Sequence, residues 1–380
     1  MDFQETQEQA LVRKMVREFA VNEVEPYAAE IDQTGEFPYR TVEKMREYGL
    51  FSVPFPVEYG GAGGDNMAYA ITIEELARVC ASTAVILAAH TSLCAGPIFN
   101  FGNDYQKRKY LLPLIKGEKL GAFGLTEPNA GTDAAGQNTK AVDMGDYWLL
   151  NGTKVFITNG GVADTYVIVA MTDKSKGTRG ISAFIVEKGF EGFSIGKKED
   201  KMGIRASSTT ELIMQDCKVP KENLLGNIGE GFKIAMATLD GGRIGIAAQA
   251  LGIAQGAFDV TVDYMKERKQ FGKSLSKFQA LQFDIAEMKT RLDAARLLVY
   301  RAANTKDNHL KYGKLSAMAK YYAAETAMYI TTKAVQLHGG YGYTKDYPVE
   351  RMMRDAKITE IYEGTSEVQK IVIAGSVFGR

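Results

Sequence analysis

The segment from Ile361 to Ser366 places one acidic side chain where it could act as a base. Glu363 follows the aromatic Tyr362 and precedes Gly364. A carboxyl group in an apolar cleft has a raised pKa, and a base whose pKa lies near the working pH accepts protons effectively. The residue types in this segment therefore predict proton abstraction by Glu363.

A cationic cluster ends a long helical pattern in the C-terminal third of the chain. The segment Arg268–Gly272 carries two basic side chains, and Phe278 and Gln279 follow it. Such a cluster suits a pyrophosphate group. It equally suits the negative end of a helix dipole with no ligand at all. The residues alone leave both interpretations open.

Three further segments place polar or aromatic groups on glycine-containing loops. They are Phe123–Asp133, Phe156–Gly160 and Gln336–Tyr343. The first two combine hydroxyl groups with aromatic side chains, and each has an alternative interpretation as ordinary turn chemistry. In the third, Gly339 and Gly340 follow a long helical pattern, where glycine is first of all a helix cap.

Several common catalytic sites are missing from the sequence. No G-x-G-x-x-G motif follows a strand pattern, and neither H-E-x-x-H nor G-x-S-x-G occurs. The three histidines are far apart, and the three cysteines form no C-x-x-C pair. We therefore expect no metal site, no disulfide framework and no hydrolysis of the metal or serine type.

Composition narrows the class of protein. The 380 residues carry 46 basic and 46 acidic side chains, and this balance argues against a nucleic-acid partner. The 39 glycines exceed the usual ~7% of residues. The N-terminal residues match no secretory or transit pattern, and the longest apolar stretch, 84–89, is far shorter than the ~18 residues of a membrane span. We expect a cytoplasmic protein without membrane insertion.

The spacing of apolar residues divides the chain into three predicted domains, and the fold class is mainly α with a middle β domain. Residues 1–118 have helical spacing, including a helix from Tyr39 to Tyr48. Residues 119–228 contain short β-branched and aromatic runs, which predict an antiparallel, barrel-like sheet with a hairpin turn at Asn151-Gly152. Residues 229–380 return to helical spacing. Long helices at 244–266, 279–304 and 314–337, with a terminal helix, predict an antiparallel four-helix bundle.

Five motifs, taken in order, resemble those of the acyl-CoA dehydrogenase family. They are T-E-P-x-A-G-T-D, I-T-N-G-G, R-x-Q-F-G, Q-x-x-G-G-x-G-Y and R-D-A-K-I-x-x-I-Y-E-G-T-S. Each motif is weak alone, but five collinear motifs at family-like separations are specific, and they cover the whole chain. The helical–β–helical order is also the domain order of that family.

The resemblance implies an enzyme that binds FAD noncovalently and oxidises the α,β bond of an acyl-CoA to a trans-2-enoyl-CoA. Glu363 matches the family's base, which removes the α-proton while the β-hydrogen leaves as hydride to flavin N5. In the family, the thioester oxygen is held by the backbone N–H of the base and by a flavin ribityl hydroxyl, which stabilises the enolate.

The resemblance also implies two sets of binding residues. Residues matching the family's FAD site are Phe123, Leu125, Thr126, Gly131, Thr132, Phe156, Ile157, Thr158, Arg268, Gln270, Phe271, Phe278, Gln279, Gln336, Leu337, Gly339, Gly340, Thr365, Ser366 and Glu367. Residues matching the substrate site are Thr132, Asp240, Arg243 and Gly364. In the family, a neighbouring subunit completes part of the FAD site.

Two departures from the family pattern stand out. Phe156 replaces a frequent Trp over the flavin, which keeps the stacking and loses an indole N–H. Some relatives carry the base at the position of Gly242, which cannot act as one here. The Leu239–Arg243 run looks most like the short-chain, butyryl-CoA type from bacteria.

That subtype implies an electron-transferring flavoprotein as electron acceptor and a homotetramer built as a dimer of dimers. Two alternatives stay open. One is an acyl-CoA oxidase that uses O₂. The other is a noncatalytic acyl-CoA-binding or assembly protein on the same fold, which loss of the base would mark.

Overall fold

The N-terminal part of the chain is helical. The computed structural model describes residues 5–379. Helices α1 to α8 span Gln7–Phe19, Glu25–Thr34, Tyr39–Glu47, Asn66–Val79, Ala81–Ala88, Gly96–Phe101, Asp104–Gln106 and Leu112–Ile115. Helix α1 begins at a capping box, in which Thr6 and Gln9 each accept the other's backbone N–H. The helix predicted at Tyr39–Tyr48 is confirmed to within one residue.

One helical run in this part is longer than the sequence suggested. A π-helical segment, Ala89–Ala95, joins α5 to α6, so the run extends from Ala81 to Phe101. By length and composition this run could cross a membrane, although the uninterrupted apolar stretch within it is only 84–89. However, 67% of its most apolar window is buried inside the protein. This is the pattern of a core helix.

The middle part is a single eight-stranded sheet. Strands β1 to β8 span Gly121–Gly124, Lys140–Asp143, Tyr147–Thr158, Thr165–Met171, Ile181–Glu187, Phe193–Lys198, Thr209–Pro220 and Leu224–Leu225. The order is β6-β7-β3-β2-β4-β5-β8, with β1 also paired to β4. Most pairs are antiparallel, as predicted, but β4 pairs in parallel with both β1 and β2.

The hairpin predicted at Asn151-Gly152 is wrong. Both residues lie inside the continuous strand β3, where the register against β7 shifts between Leu150 and Gly152. Gly152 has φ 151°, and a Cβ there would lie 2.4 Å from Thr139 Oγ1 on the neighbouring chain segment. The Asn-Gly pair therefore marks a bulge that permits close approach, instead of a turn.

The C-terminal part contains the predicted helices, and the first of them begins 13 residues earlier than predicted, at Gly231 instead of 244. Helices α9 to α13 span Gly231–Glu267, Gln279–Asp307, Gly313–His338, Val349–Lys357 and Ser366–Val377, and a small ribbon of β9 (Lys269–Gln270) and β10 (Lys273–Ser274) follows α9. Helix α11 packs against α9, α10, α12 and α13. The architecture therefore confirms the mainly α fold with a middle sheet and C-terminal helices.

Close backbone contact joins the N-terminal helices to the long helix α9. A Cβ on Gly252 would lie 2.2 Å from the carbonyl oxygen of Glu74 in α4, and one on Gly256 would lie 2.0 Å from that of Arg78. Only glycine permits this separation, so α4 and α9 are fixed relative to each other. Residues of α9 that face the site are thereby held against the N-terminal region.

Candidate active site

Glu363 lies on a short turn between α12 and α13. Its φ is 51° and that of Gly364 is 90°, so both residues adopt left-handed backbone. Side chains from outside the turn hold its carbonyl groups. Lys320 Nζ donates to the Gly364 oxygen at 2.7 Å, and Gln369 Nε2 donates to the same oxygen at 2.8 Å and to the Glu363 oxygen at 3.2 Å.

The Glu363 carboxyl group points into the space that a side chain on α9 would need. Its Oε2 is buried and has no hydrogen-bond partner among the described residues. A Cβ on Gly242 would lie 2.3 Å from this oxygen and 2.9 Å from Leu93 Cδ2. Burial raises the pKa of Glu363 to about 7, although Lys320 and Arg243 oppose the rise. A carboxyl group with this pKa is suited to exchange a proton near neutral pH.

Charged residues of α9 lie next to this carboxyl group. Arg243 is buried and donates to Asp240 Oδ1 at 2.5 Å, while its Nε has no partner in the described structure. Burial raises the pKa of Asp240, and the Arg243 guanidinium limits that rise. The predicted substrate residues Arg243 and Gly364 thus lie close to the predicted base, and Asp240 is linked to it through Arg243. Thr132, in contrast, lies on an exposed loop of the middle region.

A buried ion pair fixes the loop that begins at Phe123. Lys154 Nζ donates to Glu127 Oε1 at 2.7 Å, to the Leu125 oxygen at 3.0 Å and to Gln137 Oε1 at 3.2 Å. Glu127 also accepts the backbone N–H groups of residues 138 and 139. Burial alone would raise the pKa of Glu127, but Lys154 and these hydrogen bonds hold it below its ordinary value.

This arrangement brings the first two predicted flavin segments together. The Thr126 carbonyl accepts the Val155 N–H at 2.9 Å, so Thr126 lies next to Phe156 and Thr158 at the end of β3. Phe156 has φ 59° and is 64% exposed, whereas Phe123, Leu125 and Ile157 are buried. An exposed aromatic side chain in left-handed backbone is a strained feature, which is typical of ligand sites.

The segments Arg268–Gly272 and Gln336–Tyr343 line one cavity of about 570 Å³. Six of the predicted residues face it, namely Arg268, Gln270, Gln336, Leu337, Gly339 and Gly340. The Arg268 guanidinium lies over the Tyr341 ring, 5.4 Å from its centroid. His338 also lines the cavity, and its buried Nε2 has no partner in the described residues.

Other predicted residues lie outside that cavity. Phe271 is 93% exposed and Gln279 is exposed, while Phe278 is half-buried with its ring 6.3 Å from that of Phe271. Gly131 is also exposed. The structure therefore brings only part of the predicted set together within one subunit.

The last predicted group begins helix α13. Thr365 caps the helix, because its hydroxyl accepts the Val368 N–H at 3.3 Å. Ser366 is buried and its hydroxyl has no partner in the described part of the chain, whereas Glu367 is exposed. The Ser366 hydroxyl is thus available to bind a ligand, whereas the Thr365 hydroxyl already accepts a hydrogen bond from the helix.

A further cavity, of about 480 Å³, contains none of the predicted residues. It lies between the N-terminal helices and the second half of α9. Its walls carry ion pairs such as Arg17–Glu75 at 2.8 Å and Arg78–Asp259 at 2.7 Å. The first pair joins α1 to α4, and the second joins α4 to α9 and so connects the two helical regions.

Sequence reasoning missed three residues that position the site. Lys154 lies in a run that predicts only a strand. Asn159 lies in a segment typical of a turn, but its side chain donates to the carbonyl oxygens of Ile86 and Gly121. Lys320 lies among buried alanines on α11. The sequence does signal Lys320, because a lysine within an apolar face of a helix is unusual.

The site fits an extended, partly aromatic and polyanionic ligand such as FAD. Buried polar groups without partners in residues 5–379 include Ser366 Oγ and His338 Nε2, and Arg268 supplies a cation at the cavity. No cluster of three or more His, Cys, Asp or Glu residues in that range could hold a metal ion.

Three family models match the chain. The acyl-CoA dehydrogenase N-terminal domain matches residues 6–118, the middle domain matches 122–217, and the C-terminal domain matches 229–378.

Individual relatives agree with these matches. A short-chain specific acyl-CoA dehydrogenase of Clostridium acetobutylicum is 66% identical over 378 residues and covers 100% of both chains. The structure of butyryl-CoA dehydrogenase from Megasphaera elsdenii has a TM-score of 0.98 at 53% identity, with 100% of both chains covered. A chain in a structure described as the electron transferring flavoprotein of Acidaminococcus fermentans has a TM-score of 0.99 at 56% identity, again with 100% of both chains covered.

Proposed function

The chain belongs to the acyl-CoA dehydrogenase family, and from this premise we propose that it converts a short-chain acyl-CoA, butyryl-CoA above all, to the trans-2-enoyl-CoA. It is an FAD-dependent oxidoreductase. The observation that carries the finer proposal is the Glu363 carboxyl group, which is buried, has an oxygen without a partner and has a pKa raised to about 7.

Glu363 removes the α-proton of the substrate in this proposal. Its pKa near 7 makes the carboxylate available at neutral pH and basic enough to accept a proton. The α-proton of a thioester is a weak acid, so the developing enolate oxygen must be stabilised. The backbone N–H of Glu363 is the donor that we propose for this oxygen. When bound, FAD supplies the acceptor for the β-hydrogen, which leaves as hydride.

Residues of three regions would hold FAD. Thr126, Phe156 and Thr158 would border the flavin ring, and the hydrogen bond from Val155 N–H to the Thr126 carbonyl, which joins the two segments, supports this. Arg268 and the residues lining the 570 Å³ cavity hold the pyrophosphate and adenosine portion. The Ser366 hydroxyl remains free for a further contact within the described structure.

Bulky groups around Glu363 support a short acyl chain. Leu93 Cδ2 lies beside the carboxyl group, 2.9 Å from the position of a Cβ on Gly242. One turn further along α9, the Tyr69 hydroxyl lies 2.7 Å from the position of a Cβ on Gly245. Asp240 and Arg243 of α9 and Thr132 would contact the CoA portion. The names of two relatives, one short-chain specific and one a butyryl-CoA dehydrogenase, support the same substrate.

The electron acceptor that we propose is an electron-transferring flavoprotein, supported by the relative from the Acidaminococcus structure. We also propose a homotetramer, a cytoplasmic location and three domains at 1–118, 119–228 and 229–380. Large apolar side chains exposed on the C-terminal helices support further subunits. They include Phe283, Leu297, Ile371 and Val377.

Anaerobic titration of the flavin absorbance tests the proposed reaction. We expect butyryl-CoA to bleach the purified yellow protein, and octanoyl-CoA to bleach it far less. Bleached protein should be reoxidised by an electron-transferring flavoprotein much faster than by air, which separates a dehydrogenase from an oxidase. A protein that no saturated acyl-CoA bleaches would contradict the proposed function.

A further inference from the structure

We propose that Lys320 is the positioning residue of the base: its ammonium holds the Glu363–Gly364 turn in place and keeps a positive charge next to the Glu363 carboxylate. The proposal rests on the proposed role of Glu363. Lys320 lies on α11 and belongs to none of the five sequence motifs.

The turn needs support from outside because of its backbone. Glu363 and Gly364 have φ values of 51° and 90°. A non-glycine residue in left-handed backbone is strained and persists where its surroundings hold it. The hydrogen bonds from Lys320 and Gln369 to the two carbonyl groups of the turn supply that hold.

Lys320 is a costly residue to bury for structure alone. Its side chain is fully buried, and its one hydrogen bond in residues 5–379 is to the Gly364 carbonyl. Its neighbours on α11 include the buried Ala317, Ala319 and Ala323. A buried ammonium without a hydrogen-bonded carboxylate is unfavourable, so an apolar residue would stabilise the helix packing better.

Two cations and two tyrosines surround the Glu363 carboxyl group. Lys320 reaches it from α11 and Arg243 from α9, and both favour its charged form. Tyr69 of α4 and Tyr362 of the same turn are weak acids whose pKa values lie above the ordinary range.

Of the two cations, Arg243 is already engaged by Asp240. Burial lowers the pKa of Lys320 to about 8, while Glu363, Glu360 and Glu367 favour its charged form and Arg243 opposes it. Lys320 is therefore still cationic in the range where Glu363 titrates, and its removal should raise the pKa of Glu363.

The test separates the charge of Lys320 from its hydrogen bond. The rate of flavin reduction by butyryl-CoA is measured against pH in FAD-loaded wild-type protein and in four variants. Lys320→Met removes charge and donor, and Lys320→Gln removes the charge but keeps a donor. Gln369→Leu removes the other hydrogen bonds and keeps the charge, and Lys314→Met changes an exposed lysine of the same helix.

We expect the acid limb of the rate profile to move up by about one pH unit in both Lys320 variants, as for loss of a nearby opposite charge. Gln369→Leu should lower the rate without moving the limb, and Lys314→Met should change neither. If Lys320→Met does not retain flavin, the rate profile of Lys320→Gln alone tests the proposal. An unmoved limb in Lys320→Gln, or an equal movement in Gln369→Leu, would overturn the proposal.

This outcome is distinguishable from failure of the proposed reaction. If Glu363→Gln still reduces flavin at the wild-type rate, then the base is wrong and the role of Lys320 falls with it. If Glu363→Gln is inactive but the limb does not move in the Lys320 variants, only the role of Lys320 is wrong.

Discussion

Two glutamates with largely buried side chains have opposite surroundings. Glu127 of the middle region accepts hydrogen bonds from Lys154 and from two backbone N–H groups, which hold its pKa below the ordinary value. Glu363 of the C-terminal region keeps an oxygen without a partner in the described structure, and burial raises its pKa to about 7. Burial raises the pKa of both carboxyl groups, and the adjacent Lys154 charge with its hydrogen bonds reverses that effect only at Glu127.

The same contrast extends to the residues around each glutamate. Lys154 makes three hydrogen bonds and fixes the loop after β1. Around Glu363, by contrast, Arg243 Nε and Ser366 Oγ also have no partner in residues 5–379. Buried polar groups are nearly always satisfied, so each group without a partner is a candidate ligand contact. The middle region has such groups too, among them Thr139 Oγ1 and Asn159 Oδ1, so the contrast lies between the two carboxylates and the cations beside them.

The largest effect should come from removing the base. Glu363→Gln keeps the shape of the side chain but cannot accept the α-proton. We expect flavin reduction by butyryl-CoA to slow by about three to four orders of magnitude, while bound FAD and its absorbance persist. Glu127→Gln is the matched control, and its rate should fall far less. Similar rates for Glu363→Gln and wild type would remove the distinction between the two glutamates.

The next largest effect should be a loss of stability when the buried ion pair between Lys154 and Glu127 is broken. Lys154→Met leaves Glu127 without its counterion, and breaking one side of such a pair costs about 4 kcal/mol. We expect a marked fall in the urea midpoint of unfolding. Lys218→Met, which breaks the exposed pair with Glu191 on the same sheet, should barely change the midpoint. Equal effects of the two variants would show that the buried pair does not hold the loop.

A smaller effect should appear in the pH dependence of stability. Because the folded-state pKa of Glu363 is raised from 4.5 to about 7, its contribution is favourable at low pH and is lost as the pH rises between those values. Glu363→Gln should therefore be more stable than wild type at pH 8, by at most about 3 kcal/mol, and no more stable at pH 4. Thermal melting of the FAD-loaded proteins measures this difference, and a variant that is less stable at both pH values would contradict it.

Local patterns predicted the helices well and one turn badly. The helix at Tyr39–Tyr48 and the three long C-terminal helices follow from apolar spacing, because each buries one face. Asn151-Gly152 has the residue types of a hairpin, yet β3 continues through it because Thr139 packs against Gly152. That contact comes from a segment 13 residues away, which a local pattern does not contain.

The base could be predicted from its motif, but its supports could not. Glu363 is carried by a motif of adjacent residues, whereas Lys320 acts from 43 positions earlier in the chain and Lys154 meets Glu127 across two elements. Chain folding alone brings these residues together. Phe271 and Gln279 are exposed in the single subunit, and their predicted role in FAD binding stays a prediction.

The ionisation of Glu363 itself tests this account most directly. Infrared difference spectra of the FAD-loaded protein, recorded against pH, report the carbonyl stretch of a protonated carboxylic acid. We predict a band that disappears with a pKa near 7, that is absent in Glu363→Gln and that persists in Glu127→Gln. A band that is already lost at pH 5, or one that persists in Glu363→Gln, would contradict the assignment of Glu363 as the base poised for proton abstraction.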